Sequence, residues 1–405
     1  MLPLFYVISH YSNLPFRAWE QRKVSDYAIN TYGGGTPKTN VPEYWSGEIP
    51  WIQSSDLLIS NLFNVIPKKY ITELAVKSSA TKFIPANSIA IVSRVGVGKL
   101  VFMPFEYTTS QDFLSLSNLQ VDSNFGVYSI YMMLQKELKN IQGTSIKGIT
   151  KTDLLEKNIN KPSSREEQQK IGAFFKQLDN TITLHQRKLD TLKQMKKGLL
   201  QQMFPKSEED VPKIRFADFD EEWYQRKLGE EFEKINERND GSFGKTHWIS
   251  VAKMYFVEPN KVLSNNIDTR TYVMRKGDIA FEGHSNTDFK FGRFVANDIG
   301  PGIVSELFPV YRHKTNYDNN YWKNAIQLEH IMAPIYSKSI TSSGNSSNKL
   351  DSKHFLNQKI YIADFEEQEK IGSIFKQLDN TIILYQNKLN KFDILKKAYL
   401  QTMFI

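Results

Sequence analysis

Two glycine-containing segments carry residues well suited to contact a nucleic acid. The segment Thr31-Tyr-Gly-Gly-Gly-Thr-Pro-Lys38 combines glycines, which free backbone amides, with a cation, and this set suits close approach to a phosphate. Further along, Arg94 and Lys99 flank Gly96 and Gly98 after a strand-like run. Arginine is the side chain that most often reads guanine. An ordinary glycine turn and a solvated loop explain these two segments equally well.

Other polar loops hold further residues of the types that bind bases and phosphates. Asparagine can pair with adenine through two hydrogen bonds, while lysine and arginine bind phosphates. We predict DNA contacts from these loop residues: Gly34, Gly35, Thr36, Lys38, Arg94, Lys99, Gln111, Lys147 and Lys151 in the first half of the chain, and Arg238, Asn239, Lys245, His284, Asn286, Lys290, Arg293, Ser343 and Asn345 in the second.

The sequence lacks the motifs of a catalytic site. The closest match to an adenine methyltransferase tetrad, Asn13-Leu-Pro-Phe16, lacks one proline, and Leu100 stands where a phosphate loop needs Ser or Thr to hold magnesium. The histidines have no metal-ligand spacing, and the chain has no cysteine. We therefore predict a chain that is not an enzyme, holds no metal and binds no cofactor of its own.

Composition favours a globular protein of more than one domain. The 405 residues exceed the usual size of one domain, and 40% of them are hydrophobic. No apolar run approaches the length of a membrane span, and the first residues do not resemble a signal peptide, so we expect a cytoplasmic protein. The net charge of +8 suits a polyanionic partner without requiring one.

A long segment occurs twice in the chain. Residues 166–204 and 366–404 align without a gap and share 24 of 39 positions. Apolar residues recur at alternating spacings of three and four in both copies, which predicts two long helices, and Ser164 and Asp364 stand where helix caps belong. Each apolar stripe needs a partner, so we predict that the helices pair in antiparallel fashion. The alternative is that each helix packs only on its own globular body.

The apolar stripe defines the predicted core of this helix pair. Its members are Ile171, Phe175, Leu178, Ile182 and Leu189 in the first copy, and Ile371, Phe375, Leu378, Ile382 and Leu389 in the second.

The segments between the repeats predict two globular bodies of one fold. We name residues 1–162 body 1 and residues 221–362 body 2; the first helix then spans 163–204, a linker 205–220, and the second helix 363–405. Each body opens on a similar phrase, beginning at Trp19 and at Trp223. Strand-like runs at 88–94, 272–274 and 302–304, with helical patterns at 128–138 and 321–331, predict mixed α/β bodies. The fold class is therefore α/β, with two bodies joined by two long antiparallel helices and related by a pseudo-two-fold repeat.

The repeated pattern EQ-x-KI-G-x-x-F-x-x-L-D-x-x-I, closing two dissimilar bodies, resembles the specificity subunit of type I restriction-modification systems. The phrases Gly47-Glu-Ile-Pro-Trp-Ile52 and Val211-Pro-Lys-Ile-Arg-Phe216 are similar to that family too. The resemblance covers the chain from body 1 to the second helix.

The resemblance implies a non-catalytic DNA-recognition subunit. Each body would be a target recognition domain that reads one half of a bipartite double-stranded DNA sequence. The helix pair would set the unread spacer and dock two methyltransferase subunits, which bring S-adenosylmethionine, while restriction subunits, where present, bring ATP and magnesium. No residue of the recognition domains can be carried over from the family. The alternative function is a structural adaptor that joins protein partners through the helices without reading DNA.

Overall fold

The structure, a computed structural model, describes residues 19–140, 148–206, 209–263, 270–343 and 347–404. Body 1 and the helix that follows it contain, in chain order, β1 Glu20–Lys23, β2 Ala28–Gly33, β3 Ile49–Ile52, β4 Lys69–Ile71, α1 Glu73–Lys77, β5 Ser88–Val92, β6 Leu100–Met103, β7 Thr108–Thr109, β8 Phe113–Leu119, α2 Ser123–Asn140, α3 Lys151–Glu156, β9 Asn158–Lys161 and α4 Arg165–Gln202.

Body 2 and the second long helix complete the described elements. They are β10 Tyr224–Lys227, α5 Leu228–Glu231, β11 Phe232–Ile235, β12 Ile249–Ser250, β13 Tyr255–Phe256, β14 Thr271–Met274, β15 Ile279–Glu282, β16 Arg293–Ala296, β17 Gly302–Ser305, β18 Val310–His313, α6 Asn319–Ala325, α7 Glu329–Ser339, β19 Ile340–Ser343, β20 Asn348–Leu350, α8 Ser352–Leu356, β21 Lys359–Ile362 and α9 Phe365–Met403.

The central sheets of the two bodies have the same topology. Body 1 has four antiparallel strands in the order β2-β8-β5-β6, and body 2 has the order β11-β18-β15-β16. A two-stranded antiparallel ribbon, β1-β9 or β10-β21, closes each body next to its long helix. The prediction of two mixed α/β bodies on long helices is confirmed.

The central strand β5 shows why each sheet is buried on both faces. Every residue of Ser88–Val92 is buried. Ile89 and Ile91 join the cluster beneath α2, whereas Ala90 and Val92 join a second cluster on the opposite face. Successive side chains of a strand point to opposite faces, so one continuous apolar run serves two cores.

The chain divides into two compact units, each assembled from two separate stretches of sequence. Unit 1 comprises residues 1–185 and 388–405, and unit 2 comprises residues 186–387. Each unit therefore contains one body, the first half of the helix that follows that body, and the last part of the other long helix.

Ring contacts within unit 1 fix the direction of its helix pair. Phe174 lies 5.4 Å from Tyr399, and His185 lies 5.3 Å from Phe392, measured between ring centroids. As α4 advances, its partners on α9 move backwards along the chain, so the two segments are antiparallel. Lys396 forms an ion pair with Asp179 in this unit.

Unit 2 repeats this arrangement with the roles of the helices exchanged. Phe375 of α9 lies 6.1 Å from Phe204, which follows the end of α4 by two residues. Lys196 donates to Asp379 at 2.6 Å, the counterpart of the Lys396–Asp179 pair. Both ion pairs therefore use the repeated Leu-Asp-Asn segment.

Most predicted core positions of the helix pair are buried. Ile171, Phe175, Leu178, Leu189, Ile371, Phe375, Leu378 and Leu389 are buried, while Ile182 and Ile382 are half-buried. Ile171 and Phe175 pack with the body 1 cluster, which also takes in Leu400 and Phe404 from α9 and its end. Each helix thus packs both on its own body and on the end of the other helix.

One helix prediction was wrong. The pattern at 321–331 predicts a single helix, but the structure has α6 and α7, separated by residues 326–328. The Asp318 side chain caps α6 by accepting from Tyr321 N, and Ile331 N and Met332 N both bond to Leu328 O as a new helix begins. Two short helices with apolar faces in one core give the same periodicity as one longer helix.

A histidine with buried ring nitrogens at the end of β18 predicts a pH-dependent stability for unit 2. The His313 ring stacks on Tyr317 at 3.8 Å, lies 4.3 Å from the Phe232 ring, and has no described hydrogen-bond partner for either nitrogen. Burial lowers the pKa of His313 from 6.5 to about 3. Below about pH 6.5, His313 is therefore protonated in the unfolded chain but stays neutral in the folded chain. The free energy of unfolding falls as the pH falls.

We expect this group to remove about 2 kcal/mol from the free energy of unfolding between pH 7 and pH 5. His313→Phe keeps the ring contacts and removes the titrating group. The variant should therefore lose about 2 kcal/mol less free energy of unfolding between pH 7 and pH 5 than the wild type. Urea unfolding of both proteins at the two pH values measures the difference. An identical pH dependence would contradict the assignment.

Candidate nucleic-acid interface

Several loops of body 1 meet at one end of the central sheet. Strand β2 ends at Gly33, which pairs with Leu114 near the start of β8, and β5 ends at Val92, which pairs with Phe113. The residues after β2, the turn between β5 and β6, and the residues before β8 therefore leave the sheet at the same edge. The predicted residues Gly34, Gly35, Thr36, Lys38, Arg94, Lys99 and Gln111 all lie in these segments.

The glycine segment is packed against neighbouring backbone. A β-carbon on Gly34 would lie 2.0 Å from Ser110 O, and one on Gly35 would lie 2.5 Å from the Ala80 carbonyl carbon. The amide of Gly35 donates to Thr109 O at 2.9 Å, so it is not free to bind a phosphate. These two glycines are required by close backbone packing, and the exposed members of the segment are Thr31, Thr36 and Lys38.

The turn between β5 and β6 presents one of its two predicted cations. Gly96 and Gly98 have φ values of +93° and +96°, which other residues rarely adopt. Arg94 is exposed, whereas Lys99 donates to Ser54 O at 2.9 Å and so ties the turn to a neighbouring loop. Of the pair, Arg94 is the better placed to contact a ligand.

The segment before α3 joins the same surface. Ile149 N donates to Ser93 O at 2.8 Å, which holds this segment against the β5–β6 turn. A β-carbon on Gly33 would lie 2.4 Å from Lys151 Nζ, so the ammonium group lies against the end of β2. The predicted residue Lys147 lies outside the described residues.

Body 2 builds the equivalent edge from different residues. The turn between β15 and β16 carries His284, Asn286 and Lys290, and Arg293 begins β16. Asn348 N donates to Gly283 O at 2.9 Å, the counterpart of the bond between Ile149 and Ser93. The predicted Ser343 ends β19 and pairs in register with Asn348, so it also lies near this turn. Asn345 lies outside the described residues.

Several polar groups of this second edge are engaged within the body. His284 Nδ1 lies 2.5 Å from Glu282 Oε1, and Asn286 Oδ1 accepts from the backbone amides of Asp288 and Phe289. Arg293 donates to Ala252 O at 2.5 Å. Lys245 and Lys290 are exposed.

Two predicted residues after β11 are held by contacts inside body 2. Arg238 forms an ion pair of 2.7 Å with Glu306 and lies over the Tyr272 ring at 4.6 Å. Asn239 is only 4% exposed, and its amide group bonds to the backbone N–H and C=O of Phe243. Asn239 therefore shapes its loop, and in this conformation it is not presented to a ligand.

Sequence reasoning missed Lys82 and the cluster around Trp45. Lys82 is exposed and follows Thr81, whose hydroxyl donates to Gly35 O at 2.7 Å. Lys69 lies over the rings of Trp45 and Trp51 at 5.4 and 5.6 Å. Neither group belongs to a local pattern, because long-range contacts bring its members together.

A comparison with protein families identifies the first half of the chain. Residues 17–194 match the model described as "Type I restriction modification DNA specificity domain". Residues 17–194 are thus similar to the DNA specificity domains of that family. The resemblance drawn from the repeated segments is thereby confirmed.

Two curated specificity subunits are similar to part of this chain. The specificity subunit of the type I enzyme MjaIX from Methanocaldococcus jannaschii is 31% identical over 46% of this chain and 44% of its own length. The EcoR124I/EcoR124II specificity subunit from Escherichia coli is 35% identical over 38% of this chain and 40% of its own. The matches thus span less than half of these relatives.

Solved structures show the same fold along almost the whole chain. The type I S subunit from M. genitalium superposes with a TM-score of 0.60 at 16% identity, covering 97% of this chain and 98% of its own. A chain from a study of complex assembly and conformational transition of the type I R-M system gives 0.54 at 15% identity, covering 96% and 99%. The specificity-subunit fold therefore extends through both bodies and both long helices.

The described residues contain neither a metal-binding cluster nor a membrane-spanning helix. No group of three or more His, Asp and Glu side chains in the described ranges is arranged to hold a metal ion. Among the helices that the structure describes, none is long and apolar enough to cross a membrane.

Proposed function

We propose that this chain is the DNA sequence-specificity subunit of a type I restriction-modification enzyme, with each body reading one half of a bipartite target. The observation that carries the proposal is the repeated sheet edge. Both bodies have the same strand order. The turn after β5 and the turn after β15 lie at the same edge of their sheets, and each accepts a backbone hydrogen bond from a polar segment. The framework repeats while the side chains on it differ, as two readers of different half-sites require.

The long helices would dock the methyltransferase subunits and set the unread spacer. Large apolar side chains are exposed on them: Leu184 is 66% exposed, Ile383 53%, Leu384 51% and Ile394 67%. Exposed apolar side chains on a helix favour a protein partner over DNA, which binds through cations and polar groups.

The catalytic chemistry would reside on these partners. In this proposal S-adenosylmethionine binds the two methyltransferase subunits, and ATP and magnesium bind restriction subunits where the system includes them. This chain contributes sequence recognition and no reacting group, and it acts in the cytoplasm on double-stranded DNA.

Exchange of one body tests the proposal. Residues 1–162 are replaced by the matching body of a specificity subunit whose half-site is known, and the chimaera is expressed with the methyltransferase subunits of this system. We expect one half of the methylated sequence to become that of the donor, while the other half and the spacer stay unchanged because body 2, α4 and α9 are kept. Mapping of methylated adenines across the host genome measures all three.

The same experiment separates the proposal from the alternative of a protein adaptor. An adaptor predicts that methylation keeps its original sequence in the chimaera, since recognition would then lie on another subunit. A target that is unchanged in both halves would overturn sequence reading by body 1.

A further inference from the structure

Three cations of body 1 gather beside the end of β2. Lys82, Arg94 and Lys151 come from separate segments that long-range hydrogen bonds hold together. Thr81, directly before Lys82, donates from its hydroxyl to Gly35 O at 2.7 Å. Ser93, directly before Arg94, accepts from Ile149 N at 2.8 Å, which holds the segment that leads into Lys151 against the turn. The Lys151 ammonium group itself lies against Gly33.

This cluster carries positive charge without an acidic partner in the described part of the chain. None of the three side chains forms an ion pair or a side-chain hydrogen bond with a described residue. Burial, followed by the charges of Arg94 and Lys82, lowers the pKa of Lys151. Like charges held together repel one another, and an anion bound among them relieves that repulsion.

Three arginines elsewhere in body 2 differ in this respect. Arg275 pairs with Glu237, Arg238 pairs with Glu306, and Arg312 binds Asp278 through two nitrogens at 2.8 Å. Positive charge on these arginines is balanced within the protein, so a phosphate gains less from them than from the cluster of body 1.

We propose that Lys82, Arg94 and Lys151 form one binding site for a phosphate of the DNA backbone. The inference rests on the proposed DNA-reading function. The Arg94 guanidinium can donate two parallel hydrogen bonds to a phosphate, and the two ammonium groups add point charges. The amide of Gly35 is bonded to Thr109 O, so the phosphate would be bound by the side chains of Lys82, Arg94 and Lys151.

Salt dependence of DNA binding tests the site. The full 405-residue chain is titrated against a fluorescent duplex of random sequence at several salt concentrations, with Lys151→Gln, Lys82→Gln and the double variant. Each single variant should bind roughly tenfold more weakly at low salt. The plot of log affinity against log salt should become shallower by about 0.9, the value for one phosphate. Because the lysines share one phosphate, the double variant should lose no more slope than either single variant.

Two matched variants control for charge and folding. Lys23→Gln removes the same charge from body 1, but Lys23 pairs with Glu156 and lies outside the cluster, so its slope should stay near that of the wild type. Lys151→Arg keeps the charge and should retain the slope. Circular dichroism verifies that each variant is folded.

Three outcomes would overturn the phosphate site. If Lys151→Gln and Lys23→Gln show the same slope, the cluster binds no phosphate, and the body exchange can still establish sequence reading. If the two lysine effects add in the double variant, they contact separate phosphates. If inorganic phosphate binds the wild type but not Lys151→Gln, and leaves duplex binding unchanged at constant ionic strength, the cluster is a site for the free anion only.

Discussion

Glu367→Ala should lower the free energy of unfolding of unit 2 by about 3–5 kcal/mol, the usual cost of leaving a buried charge without its partner. The Glu367 side chain is fully buried and accepts from Nε and Nη2 of Arg215, both at 2.8 Å, and from Nε1 of Trp223 at 3.0 Å. The alanine variant leaves Arg215, whose side chain is only 11% exposed, without its carboxylate. Chemical denaturation monitored by tryptophan fluorescence measures the loss.

The duplication supplies the control for this experiment. Glu167 occupies the same position at the start of α4 and accepts from Trp19 Nε1 at 3.3 Å, but no described arginine binds it. Glu167→Ala should therefore cost about 1 kcal/mol, the value of one ordinary hydrogen bond. Glu367→Gln, which can still accept from Trp223, should fall between the two alanine variants. Equal losses for Glu167→Ala and Glu367→Ala would show that the arginine contributes nothing.

Phe404→Ala should destabilise body 1, although Phe404 follows body 2 in the sequence. Its ring is 5% exposed and lies 6.0 Å from Trp19, 5.5 Å from Phe125 and 5.7 Å from Phe175. Removal of a buried phenylalanine costs about 3–5 kcal/mol through lost burial and a cavity. Amide hydrogen exchange read by mass spectrometry should show faster exchange in β2 and β8 with little change in β11 and β18.

Phe204→Ala is the mirror experiment. Phe204 is 2% exposed and packs on Trp223, Tyr321 and Phe375 within unit 2. Its loss should speed exchange in β11 and β18 and spare β2 and β8. The opposite result would be faster amide exchange in body 2 for Phe404→Ala and in body 1 for Phe204→Ala. It would contradict the packing of each long helix's end on the body that does not precede it.

Repetition and periodicity made much of the fold predictable. The 3-4 spacing of apolar residues and the caps at Ser164 and Asp364 located both long helices to within a residue or two, and both caps accept from the amide three residues on. The parallel phrases at Trp19 and Trp223 were also informative. Both indole N–H groups donate to the glutamate that follows the helix cap, so the repeated phrase reflects a repeated contact.

The candidate site was harder to predict, because its members meet only through long-range contacts. Loop composition selected Arg94 and Lys151 as DNA contacts, and the structure brings both to one sheet edge, but nothing near Lys82 in the sequence indicates that Thr81 bonds to Gly35. Composition also selected Asn239, whose amide is used inside its own loop. A polar side chain in a loop can serve the loop or a ligand, and only the surrounding structure decides between them.

The aromatic residues that end the long helices also bear on how this chain is made. A ribosome releases body 1 first, yet the ring that completes the Trp19, Phe125 and Phe175 cluster belongs to Phe404 and is translated only after all of body 2. Part of the core of body 1 therefore stays exposed until synthesis is complete. In a chain that ends before Phe404, that part of the core remains exposed. Proteases and chaperones that recognise exposed apolar surface could then distinguish incomplete chains from complete ones.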